Sequence, residues 1–510
     1  MIPVLEASQM READRVTIGE LGLPGLVLME TAAGAVTEVV AQRFADAERV
    51  VVACGPGNNG GDGLAVARQL RCRGFSVDAA LLAGEEELKG DAATQLRLAR
   101  TFGVRLHPCD RHPVRFAELL AGTGVIVDAL FGTGLDRPLE GRWAAAVEAI
   151  NAAAGAVVAV DIPSGLQGSS SQVVGETVKA AVTVTFAAPK VAHVLPPACW
   201  ACGDVAVADI GIPPWVVDEQ ARMGMVEAED VAGWLPRRSA DAHKGTFGHV
   251  LIVAGREGRA GAAALAARAA VTLGAGLVTV ATARGAVRPV QAQVPEAMVD
   301  PLPVGEDGAV SGEGLSGSLG KATAIAVGPG LGISDGPRRL LDAVLDEWHG
   351  PLVLDADALT LLAGRLESLR ARTAPTVLTP HPGELGRLLG VATSEVTKDR
   401  LRAAREAAEL SGAVVLAKGA RTVIAGGEGW TLVNPTGSSG LASGGAGDVL
   451  TGAIGALLAQ GLPAREAAAC AAWIHGRAAE IAGEQHTGAV PASVLAGHLA
   501  NAEAEVRGLQ

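Results

Sequence analysis

Residues 49–71 read RVVVACGPGNNGGDGLAVARQLR. Residues 49–53 form a short β-branched apolar run that suits a buried strand, and residues 63–71 carry a helical apolar pattern. Between them GPGNNGGDG (residues 55–63) supplies a glycine-rich turn, so the segment reads as strand, turn and helix, the opening unit of a parallel α/β sheet. Gly55, Gly57 and Gly60 satisfy the dinucleotide pattern G-x-G-x-x-G in the right context. Asn58, Asn59 and Asp62 add polar groups that a plain pyrophosphate turn does not require. The acidic residue expected at the end of the next strand is missing, because Asp78 falls inside the run 76–82. The loop is therefore expected to bind phosphate in a manner of its own.

Working outward, residues 76–82, 125–130 (VIVDAL) and 156–162 (AVVAVDI) read as further strands, and residues 7–44 as helical. Strands alternating with helices imply parallel pairing through right-handed crossovers, and continuous apolar strands imply burial on both faces. In such a sheet the carboxyl ends of the strands share one edge, where ligands bind. Asp128 opens DALFGTGLDR and Asp161 opens DIPSGL at two of those ends. Asn59, Asp128 and Ser164 are expected to gather oxygen ligands around a hard cation, and one carboxylate among neutral oxygens suits a monovalent ion better than Mg²⁺. Asp161 and Lys190 (in VTFAAPK) are candidates for an acid and base standing opposite each other.

Residues 226–243 change to mixed charge with a proline, which places a domain boundary there and divides the chain into 1–225 and 226–510. A new α/β series starts at His249 (HVLIVAG), with strands expected at 277–281, 324–327, 352–354, 376–378 and 414–417 and terminal helices around 473–481. No internal repeat relates the halves. Near the end, SSGLASGGAGDVLTG (residues 438–452) packs glycines just before an apolar helical run. Glycine lets backbone amides crowd inward, so residues 444–447 read as an anion nest at the positive end of a helix. Asp448 sits at that opening, where a carboxylate beside a phosphate costs electrostatic energy. It reads either as a base for a hydroxyl that attacks phosphorus or as a plain helix cap, and the glycine density favours the base.

Composition narrows the classes. A chain of 510 residues holds more than one ordinary core, and 49% hydrophobic residues with 67 glycines suit an α/β protein. A net charge of −13 argues against nucleic acid or an anionic membrane as partner. No charged leader with an apolar core and no bilayer-length apolar stretch occurs, so a cytoplasmic address is expected. Cys199 and Cys202 form C-x-x-C in a proline-rich link, without a second pair to complete a metal site. No Walker A pattern occurs, which removes a P-loop ATPase.

NNGGDG, DALFGTGL, VDIPSGL and VTFAAPK, in that order, resemble the epimerase domain of NAD(P)H-hydrate repair enzymes. HKGTFGHVLIVAG, VGPGLG, LTPHPGEL, LAKGARTVI and GGAGDVLTGAIGALLAQG resemble their ribokinase-like dehydratase domain. The resemblance covers nearly the whole chain. It implies a Rossmann-like parallel α/β/α sandwich at the N-terminus and a ribokinase-like α/β domain at the C-terminus. The implied activity is epimerisation of R and S hydrates (NADHX and NADPHX), followed by dehydration of the S form with Mg²⁺ and ADP or ATP. The family favours ADP, though the residues themselves do not choose between donors. A homo-oligomer is expected, of a size the sequence does not fix.

Carried onto this chain, the resemblance implies that Asn58, Asn59, Gly60, Gly61 and Asp62 hold the hydrate together with Asp161. It implies the same role for Gly132, Thr133, Gly134, Leu135, Asp136, Arg137 and Pro138. It implies K⁺ at Asn59, Asp128 and Ser164, in agreement with the oxygen-ligand argument. In the second domain Gly330 and the loop 379–385, with His381, would touch the substrate, and Asp448 would contact the hydrate. Lys418, Gly419, Ala420, Arg421 and Thr422 would hold the nucleotide from one side. Ser438, Ser439, Gly440, Leu441 and Ala442, continuing through Ser443, Gly444, Gly445, Ala446 and Gly447, would hold it from the other.

This chain has GGAGD where the family commonly has GGTGD, so Ala446 lacks a hydroxyl; a nest works through backbone N–H groups, and function is expected to survive. Ser438 stands where asparagine is usual, AGREGRAGA replaces the more usual AGSxGMxGA, and tyrosine is absent altogether. Two rival readings remain. One is a dinucleotide-binding oxidoreductase fused to a small-molecule kinase, against which stands the missing ribose-binding acid. The other is a non-catalytic nucleotide-binding scaffold, which would have no need of Asp161, Lys190 or the cation ligands. His475 on an apolar helix reads as a satisfied core histidine, and Lys244 as an exposed lysine.

Overall fold

The computed structural model describes residues 1–484 and 488–510. The chain divides into two compact units, Ile2–Met223 and Gly224–Gln510, the latter including Met1.

The first unit is built on a 7-stranded sheet, β1 (Val50–Cys54), β2 (Val77–Leu81), β3 (Arg105–Pro108), β4 (Val125–Ala129), β5 (Ala156–Val160), β6 (Val182–Phe186) and β7 (Asp204–Ala208). The spatial order is β3-β2-β1-β4-β5-β6-β7, and every pairing is parallel. The order reverses between β1 and β4, the position at which open α/β sheets leave a crevice for ligands. The central strands β1 and β4 are buried throughout, as VVVAC and VIVDA require.

The helix after β1 spans Asn58–Cys72 and starts before the expected Gly63. Glycine disfavours helix, but tertiary packing overrides propensity here. A Cβ on Gly60 would fall 1.9 Å from the Gly55 carbonyl oxygen, and one on Gly63 would meet Ala129 Cβ at 2.5 Å. Asp78 lies within β2 and is held by Arg49 and His107 at 2.7 and 2.8 Å and by Arg105, an ion network inside the sheet and not a ribose site.

In the second unit β8 (His249–Val253), β9 (Leu277–Ala283), β10 (Met298–Leu302), β11 (Ala324–Val327), β12 (Leu352–Leu354), β13 (Thr376–Leu378) and β14 (Val414–Ala417) pair in parallel. The hairpin β15 (Val423–Ala425) and β16 (Thr431–Val433) adds on antiparallel, giving the order β16-β15-β14-β13-β12-β11-β8-β9-β10. Helix Ala446–Ala459 lies in the core against helix Ala260–Thr272. They approach closely: a Cβ on Gly452 would come within 1.9 Å of the Ala266 carbonyl oxygen. That contact seats the start of the first helix, and with it Asp448, over the carboxyl ends of the central strands.

Two candidate active sites

In the first unit the strand ends open on a cavity of about 920 Å³, within the size of a drug- or cofactor-sized pocket. Asn58, Asn59, Asp62, Asp161 and Lys190 line it, and so does the whole segment from Gly132 to Pro138. Gly60 and Gly61 do not line it; they are buried in the packed face of their helix, so any contact with a ligand there falls to their neighbours. Asp161 follows β5 with φ of 63°, a left-handed backbone that a non-glycine residue adopts at a cost and that recurs at functional sites. Lys190 is wholly buried, and its ammonium donates to Asp161 Oδ1 at 2.7 Å, Thr185 Oγ1 at 2.8 Å and the Phe186 carbonyl at 3.0 Å. Its three protons are thus committed. Burial alone would raise the Asp161 carboxyl, but the Lys190 charge and hydrogen bond hold it below the ordinary carboxylate range.

Two other carboxyls on the same cavity are pushed the opposite way. Burial raises Asp62 well above its usual value, with Asp161 and Asp14 adding to the shift. Burial likewise lifts Asp14 to about 6, Lys190 opposing and Asp161 reinforcing. The cavity therefore holds one carboxyl kept ionised beside two driven toward the protonated form, Asp62 the more strongly, the kind of separation that lets neighbouring carboxyls differ in role. Asp14, on helix Ala7–Arg15, was missed from sequence, where nothing distinguishes it from a solvated helical carboxylate.

Beneath the cavity, Asp128 and Ser164 are both fully buried. Ser164 donates to Asp128 through its backbone N–H at 2.8 Å and its hydroxyl at 2.6 Å, and its Oγ accepts from the Phe131 N–H at 2.9 Å. Burial raises the Asp128 carboxyl to about 6. The Asn59 amide lies beside Gly132, and its buried Nδ2 has no hydrogen-bond partner. Asn59 Oδ1, the Ser164 hydroxyl oxygen and the Asp128 carboxylate are the oxygen donors a weakly charged cation takes, while the Nδ2 is a donor and would face away from it.

In the second unit the helix Ala446–Ala459 is entered through Gly445 as N-cap, with φ of 92°. The cap is therefore the glycine, and Asp448 lies in the first turn. Burial raises the Asp448 carboxyl to about 7, the Asp355 charge adding to the shift and Lys418 opposing it. Lys418 donates to Asp355 Oδ1 at 2.8 Å and lies 4.0 Å from Glu384. A Cβ on Gly447 would be 3.3 Å from the Lys418 ammonium, so lysine and nest adjoin. His475 hydrogen-bonds the Ala446 carbonyl at 2.9 Å, a buried core histidine set behind the nest.

The remaining expected nucleotide residues shape loops around this point. Gly419 (φ 150°) and Arg421 (φ 54°) turn the chain after β14, Arg400 holds the Ala420 and Arg421 carbonyls, and Thr422 Oγ1 caps the Gly419 carbonyl at 3.0 Å. Ser438 accepts from the Gly440 N–H at 3.3 Å at the start of the short helix Ser439–Leu441, and Ser443 donates to the Val490 carbonyl at 2.7 Å. Gly330, with φ of 61°, packs against Arg259 and Ala262 of the AGREGRAGA segment. His381 caps helix Pro382–Leu389, its Nδ1 accepting from the Gly383 N–H at 3.0 Å, and its ring remains half exposed. Lys244 is exposed. Cys202 is buried with its thiol pushed up to about 12, unsuited to redox exchange.

Fold and sites together define a two-domain α/β enzyme, with a cofactor-sized cavity lined by carboxyls and a buried lysine in a Rossmann-like unit and a glycine turn beside a carboxylate in a ribokinase-like one. The family described as YjeF-related protein N-terminus matches residues 25–192, and that described as NAD(P)H-hydrate dehydratase matches residues 250–501. The chain is 41% identical over 491 residues to the bifunctional NAD(P)H-hydrate repair enzyme Nnr of Moorella thermoacetica, covering 94% of this chain and 93% of that one. To the enzyme of the same name from Escherichia coli it is 34% identical over 475 residues, covering 93% and 88%. Among solved structures, the ADP/ATP-dependent NAD(P)H-hydrate dehydratase of Bacillus subtilis, co-crystallised with ATP and Mg²⁺, aligns with a TM-score of 0.50 and 34% identity, over 56% of this chain and 98% of that one. The chain belongs to the family of bifunctional NAD(P)H-hydrate repair enzymes.

Proposed function

We propose that the first unit interconverts the R and S hydrates of NADH and NADPH, and that the second dehydrates the S form at the expense of Mg²⁺-bound ADP or ATP. The observation that carries this reading is the presence in one chain of the Asp161–Lys190 cavity and of the glycine nest beside Asp448. ADP is the donor we expect to be preferred, on the family resemblance alone. Cys54, Cys72, Cys109, Cys202 and Cys470 are free thiols, which supports a reducing compartment such as the cytoplasm.

In the first unit, inverting the hydroxyl-bearing carbon requires water to leave one face and return to the other. A protonated Asp62 or Asp14 carboxyl gives its proton to the departing hydroxyl, leaving a cationic ring. The Asp161 carboxylate stabilises that charge and takes the proton from the water that returns. Lys190 keeps Asp161 ionised and oriented while its own protons stay engaged. K⁺ held by Asn59, Asp128 and Ser164 would supply a fixed charge that orders the loops above it.

In the second unit, Asp448 takes the proton of the hydrate's hydroxyl as its oxygen bonds to the terminal phosphorus. The anhydride bond breaks and the shortened nucleotide leaves with the electron pair, its charge met by the nest amides and Lys418. The phosphate on the ring is then a good leaving group. The ring nitrogen expels it, and loss of a neighbouring proton restores the double bond. Supplying purified S hydrate with Mg²⁺-ADP should regenerate reduced-nicotinamide absorbance with one AMP and one phosphate formed per molecule repaired. Nucleotide-independent recovery would refute the coupling.

A further inference from the structure

Four separate stretches of the second unit converge on one residue that belongs to none of them. Asp355 follows β12 (LVLDADAL) and is buried. Its Oδ1 accepts from Lys418 Nζ at 2.8 Å and from Thr379 Oγ1 at 2.8 Å, and its Oδ2 accepts from Thr451 Oγ1 at 2.7 Å. Thr451 lies one turn beyond Gly447 on the helix that carries Asp448, and its hydroxyl also lies 3.1 Å from the Gly447 carbonyl. On the backbone side a Cβ on Gly328 would fall 1.8 Å from the Asp355 carbonyl oxygen, so only glycine permits this approach. The next residue, Ala356, adopts φ of 50°, a strained turn retained at the same point.

We propose that Asp355 is a positioning residue of the phosphate site, fixing the Lys418 ammonium against Gly447 and tying it to the helix that carries Asp448. This rests on the dehydratase reading of the unit. A lysine is a flexible point charge and needs an anchor to face one spot. With one N–H committed to Asp355, its remaining protons are left for the anion in the nest. The same carboxylate adds to the basicity of Asp448. The charged and titratable groups facing Asp448 are Asp355 and Asp357 from the β12 end and Lys418 from the β14 end. His475, from the helix behind, is kept neutral by burial, its ring lowered to about 4.

Asp355→Asn separates these roles from packing. The amide oxygen still accepts from Thr379 and Lys418, and its nitrogen donates to Thr451, whose proton turns to the Gly447 carbonyl. Calorimetric titration with Mg²⁺-ADP, kcat on the S hydrate and its pH profile are measured for the parent, D355N, K418M and the double variant. D355N should bind Mg²⁺-ADP at least as tightly as the parent, because a negative charge near the phosphates is gone. Its kcat should fall roughly ten- to a hundredfold as the ammonium loses its charged anchor. The rise of rate with pH should move to lower pH by on the order of one unit. Adding K418M to D355N should cost less than K418M costs alone.

Unchanged kcat and pH profile, independent multiplication of the two substitutions, or joint loss of affinity and kcat with an unmoved pH profile would each overturn the proposal. If the parent itself leaves the hydrate untouched, the dehydratase reading fails separately, and the titration decides: D355N binding more weakly than the parent overturns the proposal, and K418M alone binding more weakly supports it. Should D355N fail to fold, Thr451→Val, which removes one partner of Asp355, is read in the same assays and should lower kcat in the same direction; wild-type behaviour overturns the proposal.

Discussion

The Lys190 ammonium meets the Asp161 carboxylate at 2.7 Å on a residue whose backbone is held in the left-handed region. The pair keeps one carboxylate of the cavity ionised while its neighbours Asp62 and Asp14 are driven toward the protonated form. All three carboxyls line one cavity.

Asp161→Ala removes the ionised member and leaves the second unit untouched. The S hydrate should be repaired at the parent rate, while the R hydrate disappears only at the uncatalysed rate. Chromatographic separation of the two epimers over time checks this. Equal consumption of both would move the epimerase site elsewhere.

Asp448→Asn keeps the shape of the nest and removes the base, so dehydration should fall by roughly 10²-fold or more. In the parent the rate should rise as pH passes through about 7, where the carboxyl loses its proton. Stability should run the other way. The folded-state value lies above the ordinary one, so the fold favours the protonated form, and stability is lost as pH rises from the ordinary carboxylate range through about 7. The Asn variant should therefore unfold at a higher temperature than the parent at about pH 8, with little difference near pH 4. A less stable variant at the higher pH would show that the carboxylate is held by contacts this account omits.

Replacing K⁺ by Li⁺, or Asp128 by Asn, should slow epimerisation several-fold and leave dehydration of purified S hydrate unchanged. Parallel assays of the two steps in exchanged buffers distinguish this from a general loss of folding. An epimerase indifferent to the cation would leave Asn59, Asp128 and Ser164 as a structural hydrogen-bond cluster.

Gly445→Ala should damage the second site. The position has φ of 92°, and a Cβ would lie 2.6 Å from Leu265 Cδ1. The left-handed strain alone costs roughly 1–2 kcal/mol. Gly444→Ala meets nothing within 4 Å and serves as the control. Nucleotide affinity of the two variants, measured side by side, should differ; equal affinities would argue against the nest.

The interior strands were legible because β11, β12, β13 and β14 are continuous apolar runs between turns, and their bounds coincide with the expected ones. β3, β7 and β10 were missed: all three are partly exposed, β3 and β10 lack an unbroken apolar run, and the VAVA of β7 is short and set between aspartates. The short pairs β15 and β16 and the alternating VTVTF of β6 carried too little signal to separate from neighbouring loops. At the sites, glycine-flanked aspartates revealed Asp128, Asp161 and Asp448. Asp355 offered the same signal, an aspartate closing an apolar strand, and escaped because its glycine partner, Gly328, lies on another strand's end. Asp14 became visible only when its helix was brought over the cavity.

The most direct test gives the protein an equilibrated mixture of R and S hydrates with Mg²⁺-ADP in K⁺ buffer and follows reduced-nicotinamide absorbance to completion. Two linked activities on one chain predict full recovery at an enzymatic rate, whereas Asp161→Ala recovers the S fraction and then slows to the spontaneous rate, and Asp448→Asn recovers almost nothing. Full and rapid recovery in both variants, or none in the parent, would contradict the account.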